Sequence, residues 1–83
     1  AFSESLLTPL LLHDQRNNGD LLPTARAIVD YPTSRSAAAQ VLHLSRTALY
    51  SRISTIERLL SMDLNNGKEF FALSLAVRAY FGE

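Results

Sequence analysis

The sequence contains no cysteine and no tryptophan, and it has only three glycines and three prolines among its 83 residues. The absence of cysteine excludes disulfides, thiolate metal sites and cysteine catalysis. The glycines, Gly19, Gly67 and Gly82, are too dispersed for a phosphate-binding loop, and no serine lies in a G-x-S-x-G motif. The two separated histidines do not form a metal-ligand set. We therefore expect neither an enzyme nor a cofactor.

Long apolar runs are also missing, since no segment approaches the roughly 18–20 apolar residues that cross a membrane. The first residues, AFSES, include no methionine and lack the basic and apolar regions of a signal peptide. We expect a cytoplasmic protein, of which this chain is a fragment, with an effector-sensing domain outside it. The 47% hydrophobic and 19% charged residues are typical of one folded domain, which we place at residues 1–83.

Charge is balanced over the whole chain but not along it. The formal net charge is zero. Residues 34–62 contain four arginines and one glutamate, a net charge of +3, whereas the other residues contain four cations and seven acids, a net charge of −3. This local positive charge gives mild support to an anionic partner.

Apolar residues recur at helical rather than strand spacing, which predicts an all-α domain. Helical patterns cover five segments, at residues 5–16, 21–31, 34–42, 46–60 and 68–81. Thr8 and Pro9 are typical of an N-cap and a first helical residue, so the first helix could begin as late as Pro9 instead of at residue 5. The turn NNGD at residues 17–20 separates the first two helices. The last helix is apolar on nearly every side, which favours packing against a second surface, either a missing domain or a second copy of the chain.

The segment AAAQVLHLSRTALYSRI, residues 37–53, satisfies the requirements of a helix-turn-helix. The alanines at residues 37–39 are small enough for a close helix crossing. His43, Leu44 and Ser45 form the predicted turn, in which Leu44 is an apolar plug beneath the turn. Ser45 is the N-cap of the second helix, because its hydroxyl can accept an N–H from the next turn.

The second helix of this pair is predicted to have two distinct faces. A buried stripe is formed by Leu49, Ile53, Ile56 and Leu60. The opposite face carries Thr47, Ser51, Ser54 and Arg58, with Tyr50 and Thr55 on its flanks. Because this face contains hydroxyls and an arginine but no carboxylate, it can donate hydrogen bonds to phosphates and base edges without repelling them.

The chain resembles the C-terminal helix-turn-helix domain of PucR/CdaR-type bacterial transcription regulators. The specific part is AAAQVLHLSRTALYSRISTIERL, supported by PLLLHD, LLPTARAIVDY and MDL, and the likeness extends from about Leu7 onward. The helix pair is also similar to that of Fis-type nucleoid proteins. The resemblance implies sequence-specific binding to a double-stranded DNA operator, with residues 46–60 as the recognition helix in the major groove and a homodimer in the full-length protein.

The candidate DNA-binding residues are Arg35, Ser36, Ser45, Arg46, Thr47, Tyr50, Ser51 and Thr55. The resemblance implies that Arg46, Thr47, Tyr50 and Ser51 lie near DNA. Arg46 could bind a guanine or a phosphate, or it could be a solvated arginine. Tyr50 could contact a phosphate or a thymine methyl, or it could pack on the helix flank. Arg35 and Ser36 begin a helix whose N-terminus could face phosphate. We expect Arg52 to pack or pair instead.

The chain departs from the family pattern in ways that lower its charge. The family usually carries additional arginines where this chain has Tyr50, Ser54 and Thr55, and often glycine in place of Ser61 and proline near Gly67. Each lost phosphate contact reduces the slope of log affinity against log salt by about 0.9, so dimerisation or tethering would have to compensate. The alternative function is a helical protein–protein interaction or dimerisation module that does not bind DNA.

Overall fold

The computed structural model describes residues 2–17 and 19–82, with side chains from residue 5 onward. Over these residues the chain forms five helices and no strand, which confirms the predicted all-α fold. The helices are α1 (Phe2–Asn17), α2 (Leu21–Asp30), α3 (Arg35–Val41), α4 (Arg46–Leu60) and α5 (Gly67–Tyr80). The boundaries of α2 to α5 lie within one residue of the predicted ones. Ala1, Glu83 and Asn18, which belongs to the predicted NNGD turn, lie outside the described residues.

The prediction that the first helix could begin at Pro9 is wrong, because α1 runs through Pro9 and Thr8 is inside it. A proline in a helix interior costs about 3 kcal/mol, since it removes one hydrogen bond and crowds the preceding turn. Leu7 is completely buried, which contributes about 1.5–3 kcal/mol, and the half-buried Leu6 also packs against the core. Packing of the turn before Pro9 therefore offsets the cost of the proline.

Helix α2 is the centre of the fold, because it contacts each of the other four helices. Its apolar side chains Leu21, Ala25, Ile28 and Val29 are buried, while Leu22 is half-buried. Large apolar side chains that are completely buried also come from Leu7 and Leu10 of α1, Leu49 and Ile56 of α4, and Leu73 and Val77 of α5. Helix α1 packs against α2, α4 and α5, so it closes the core on the side away from α3.

The start of α2 is held by a carboxylate from α1. The Asp14 oxygens accept the N–H groups of Leu21 at 2.8 Å and Leu22 at 2.9 Å. Asp20 occupies the N-cap position, but its side chain makes no capping hydrogen bond. A Cβ on Gly19 would lie 3.3 Å from Asp14 Oδ1, so the absence of a side chain there lets the connection pass closely over the carboxylate. Asp14 therefore joins α1 to α2.

A second carboxylate joins the end of α4 to the following loop. Glu57 Oε2 accepts the N–H of Leu64 at 2.8 Å, and Leu64 is buried. Asn66 caps α5 by accepting the N–H groups of Lys68 and Glu69. The Glu69 carboxylate in turn accepts the N–H of Asp63 at 3.1 Å. These bonds give the loop between α4 and α5 a defined path.

Helix α5 has apolar side chains on the side away from the core, as its composition predicted. Phe71 is 63% exposed and Leu75 is 48% exposed, while Leu73, Ala76 and Val77 of the same helix are buried. Phe71 and Leu75 lie one helical turn apart and so share a face. We call these two side chains the outer face of α5. None of the described helices has the length and apolarity needed to span a membrane.

Candidate nucleic-acid interface

Helix α3 ends in a hydrogen-bonded turn that redirects the chain into α4. His43 has a left-handed backbone, with φ of 57°, and its N–H donates to the Gln40 carbonyl at 3.1 Å. The N–H of Leu44 reaches back to the Ala39 carbonyl at 2.9 Å. This pair of bonds is the Schellman arrangement that ends many helices, here with histidine in the position that glycine usually occupies. The predicted turn is therefore confirmed, and its conformation places α4 directly after α3.

The packing beneath the turn differs from the prediction for Leu44. Ala38 and Ala39 are buried, as the close crossing of α3 required. Leu44, however, is only partly buried, and the leucine of this segment that packs against the core is Leu42. The left-handed residue His43 turns the chain away from the core after Leu42, which leaves Leu44 at the edge of the crossing.

Both helices of the pair begin with a serine cap. Ser34 Oγ accepts the N–H of Ala37 at 3.1 Å, and Ser45 Oγ accepts the N–H of Ala48 at 3.1 Å. Each serine has an extended backbone, as an N-cap requires. The predicted Ser45 cap is confirmed. The exposed Ser45 hydroxyl keeps its own hydrogen for donation to an external acceptor.

The two predicted faces of α4 are present. Leu49, Ile53 and Ile56 are buried, and Leu60 at the end of the stripe is only partly buried. The opposite face exposes Thr47, Ser51, Ser54 and Arg58. The acid of α4, Glu57, is half-buried and its carboxylate accepts a hydrogen bond from Leu64, as described above. The outward face of α4 therefore carries hydroxyls and positive charge without a carboxylate.

Three of the candidate residues are restricted by contacts or burial within the fold. The half-buried Thr55 donates its hydroxyl hydrogen to the Ser51 carbonyl at 3.2 Å. Arg35 is also half-buried, and its Nη1 is enclosed without a hydrogen-bond partner among the described residues. Ser45 uses its oxygen as a cap. By contrast, Ser36 is exposed at the start of α3.

Arg52 forms an ion pair with Asp20, which ties the flank of α4 to the start of α2. This confirms the prediction that Arg52 packs or pairs. Asp20 thus binds an arginine instead of capping its own helix. Of the four arginines in the positive segment, Arg46 and Arg58 are the two that are exposed.

Arg46 and Tyr50 contact each other, and this pair was not predicted from the sequence. Arg46 Nη2 donates to the Tyr50 hydroxyl at 3.3 Å, and the guanidinium carbon lies 5.9 Å from the ring centroid. Both side chains are exposed, with Tyr50 at 46%. Their spacing of one helical turn was a signal that could have predicted the contact.

Two helices joined by a short turn, the second with a polar, cationic outer face, define a helix-turn-helix domain. This class of domain suggests a DNA-binding regulator and is typically not enzymatic. The chain belongs to the PucR C-terminal helix-turn-helix domain family, whose model matches residues 21–79. The match covers α2, α3, α4 and nearly all of α5, and it confirms the family resemblance. No curated protein and no solved structure matches the chain.

Proposed function

We propose that this chain is the sequence-specific, double-stranded DNA-binding domain of a bacterial transcription regulator, with α4 inserted in the major groove of the operator. The observation that carries the proposal is the outward face of α4, which exposes three hydroxyl side chains and an arginine: Thr47, Ser51, Ser54 and Arg58. The major groove of B-DNA admits an α-helix. A face with hydroxyls and a guanidinium but no carboxylate approaches phosphates without electrostatic repulsion.

The N-terminal end of α4 is the part that we assign to the bases. In helix-turn-helix proteins the first residues of the recognition helix contact base edges, while the first helix of the pair crosses the phosphate backbone. We therefore assign Arg46, Thr47, Tyr50 and Ser51 to the base-reading end. Arg58 lies roughly 18 Å farther along the helix, so we assign it to the phosphate backbone.

Residues around the two helix starts are the candidates for orienting the domain on phosphates. Ser36 is exposed at the beginning of α3, and Ser45 can donate its hydroxyl hydrogen while its oxygen caps α4. Arg35 would contribute through the part of its guanidinium that reaches solvent. Thr55 would contribute only by giving up its hydrogen bond to the Ser51 carbonyl.

The small number of exposed cations on α3 and α4 supports a domain that binds DNA as a pair of copies. Arg46 and Arg58 are exposed, whereas Arg52 is paired with Asp20, so few phosphates can be neutralised by one copy. We propose a cytoplasmic homodimer in which two copies read half-sites about 34 Å apart, under control of an effector-sensing domain elsewhere in the protein. Joining two weak sites raises their combined affinity without any new contact.

Selection of bound duplexes from random-sequence DNA tests the proposal. We expect recovery of a common sequence, and the log of the binding constant should fall linearly with log salt concentration. A shuffled duplex of the same composition is the control for sequence specificity. If the chain fused to a dimeric coiled coil enriches no sequence and shows no salt-dependent binding, the DNA-binding function is wrong.

One observation favours a second candidate, a protein-interaction module that does not bind DNA. The outer face of α5 exposes Phe71 and Leu75, and exposed large apolar side chains on one face can mark a contact with another protein. Replacing both with serine and measuring the mass of the chain by analytical ultracentrifugation tests self-association. The protein-interaction function is supported if the substitutions abolish an oligomer while the unsubstituted chain binds no DNA.

A further inference from the structure

The first turn of α4 carries an arginine whose guanidinium is held by a hydroxyl on its own helix. Arg46 is the first residue of α4, directly after the Ser45 cap, and Tyr50 lies one turn later on the same exposed flank. The guanidinium Nη2 donates to the Tyr50 hydroxyl oxygen at 3.3 Å, and its carbon is 5.9 Å from the ring centroid. The contact draws the arginine along the helix surface.

A phenol holds an arginine differently from a carboxylate. The neutral hydroxyl accepts one hydrogen bond but does not neutralise the positive charge, so the guanidinium keeps its attraction for DNA. Arginine has five N–H donors, and one bond to Tyr50 leaves the others free for a base edge or a phosphate. The Tyr50 hydroxyl also keeps its own hydrogen, so accepting from Arg46 does not saturate it.

Restriction of the side chain has a second consequence for binding. A free arginine loses rotamer entropy when it is immobilised at an interface. A side chain that is already restrained in the free protein loses less, so it binds more tightly for the same contacts. Tyr50 is 46% exposed, and at the surface its hydroxyl accepts the hydrogen bond from Arg46.

We propose that Tyr50 is a positioning residue for Arg46, and that together they read a guanine in the major groove. Arg46 would donate two hydrogen bonds to the O6 and N7 atoms of that guanine, while Tyr50 fixes the direction of the guanidinium. The proposal rests on the proposed DNA-binding function and adds to it the base that is read and the residue that makes the reading selective. It assigns Tyr50 an indirect role instead of a separate contact with phosphate or thymine.

A double-mutant cycle on the duplex selected by the unsubstituted chain tests this role. Tyr50→Phe keeps the ring and removes only the hydroxyl, and we expect it to weaken binding roughly three- to ten-fold. Arg46→Ala should weaken binding roughly ten- to one-hundred-fold. In the Arg46→Ala background, Tyr50→Phe should cause no further loss, because the hydroxyl then has no guanidinium to position.

A modified base provides the second readout. Replacement of each guanine in the selected duplex by 7-deazaguanine removes the N7 acceptor and should identify one guanine at which Arg46→Ala has no additional effect. At that same position the effect of Tyr50→Phe should also disappear. Tyr80→Phe is the matched control, because it removes a hydroxyl from an exposed tyrosine on α5, and it should leave binding unchanged. Thermal melting of each variant checks that the fold is retained.

Two outcomes would overturn the positioning role while leaving the DNA-binding function intact. One is an unchanged affinity of Tyr50→Phe for the selected duplex. Another is a loss of equal size in the Arg46→Ala background, which would mean that the hydroxyl contacts DNA itself. Failure of the unsubstituted chain to select any duplex is a different result, and it would overturn both proposals.

Discussion

At the scale of single residues, the helix ends are held by side chains whose conformations are set locally. Ser34, Ser45 and Asn66 each accept a backbone N–H at the start of a helix. His43 and Ser61 end α3 and α4 with left-handed backbones, at φ of 57° and 53°. In this conformation a Cβ lies close to the following carbonyl, which costs about 1–2 kcal/mol for residues other than glycine.

The left-handed backbone at Ser61 leads to a prediction about stability. Ser61→Gly should raise the free energy of unfolding by about 1 kcal/mol, because glycine adopts this conformation without steric cost. This conformation also gives a physical reason for the glycine that the family often carries there. Chemical denaturation measures the change.

Ser54→Gly is the matched control for Ser61→Gly. Ser54 is exposed in the middle of α4, where a glycine should lower stability by about 0.5 kcal/mol. A loss of stability in both variants would contradict the left-handed conformation of Ser61.

Substitution of Asp14 should destabilise the junction between α1 and α2. Asp14→Ala removes the acceptor for the N–H groups of Leu21 and Leu22 and should cost roughly 1–3 kcal/mol. Asp30→Ala, which removes an exposed partner of Arg26, should cost less than about 1 kcal/mol. Equal losses from the two variants in thermal denaturation would show that Asp14 is not a cap of α2.

At the scale of the helices, α4 divides into a face that stabilises the fold and a face that is free to bind. Leu49, Ile53 and Ile56 are buried, and the exposed hydroxyls lie on the opposite side. The C-terminal end of the helix is anchored by the bond from Leu64 to Glu57, and its flank by the Arg52–Asp20 ion pair. These contacts fix the C-terminal end and one flank of α4 to the rest of the protein.

Stability and binding should therefore respond to different substitutions in α4. Leu49→Ala should lower the free energy of unfolding by roughly 2–5 kcal/mol, because Leu49 is completely buried. Arg46→Ala should change stability by no more than about 0.5 kcal/mol, because Arg46 is exposed, while it weakens DNA binding. Chemical denaturation and DNA binding are measured on both variants. If Arg46→Ala destabilises the chain as much as Leu49→Ala does, this division is wrong.

At the scale of the whole molecule, the exposed cations of this neutral chain lie on α4 and also on α1 and α5. The formal net charge is zero, so attraction to DNA depends on where the cations lie. Arg46 and Arg58 are exposed on α4, whereas Lys68 is exposed at the start of α5. Binding through α4 should therefore depend on the first two and not on the third.

The salt dependence of DNA binding measures this distribution. Arg58→Ala should reduce the slope of log affinity against log salt by about 0.9, because one phosphate contact is lost. Lys68→Ala removes the same charge from α5 and should leave the slope unchanged. Equal reductions by the two variants would indicate attraction by total charge instead of docking of α4.

Local sequence patterns predicted much of the structure of this molecule. Periodicity placed α2 to α5 within one residue, and Ser45 was correctly predicted as the cap of α4. The exposed face of α4 also followed from its periodicity. Each of these features depends on residues within a few positions of one another, so the sequence alone determined them, together with the family to which the chain belongs.

The tertiary structure decided the features that depend on how helices meet. Burial of Leu7 carries α1 through Pro9, where local preference would have started the helix. The bonds from Asp14 to α2 and the Arg52–Asp20 pair join residues that only packing brings together. The same packing decides which apolar side chains of α5 face outward, Phe71 and Leu75, and leaves Leu44 at the edge of the crossing. The physical reason is that helix propensity and capping depend on residues close in sequence, whereas burial and charge pairing depend on residues that the fold brings together.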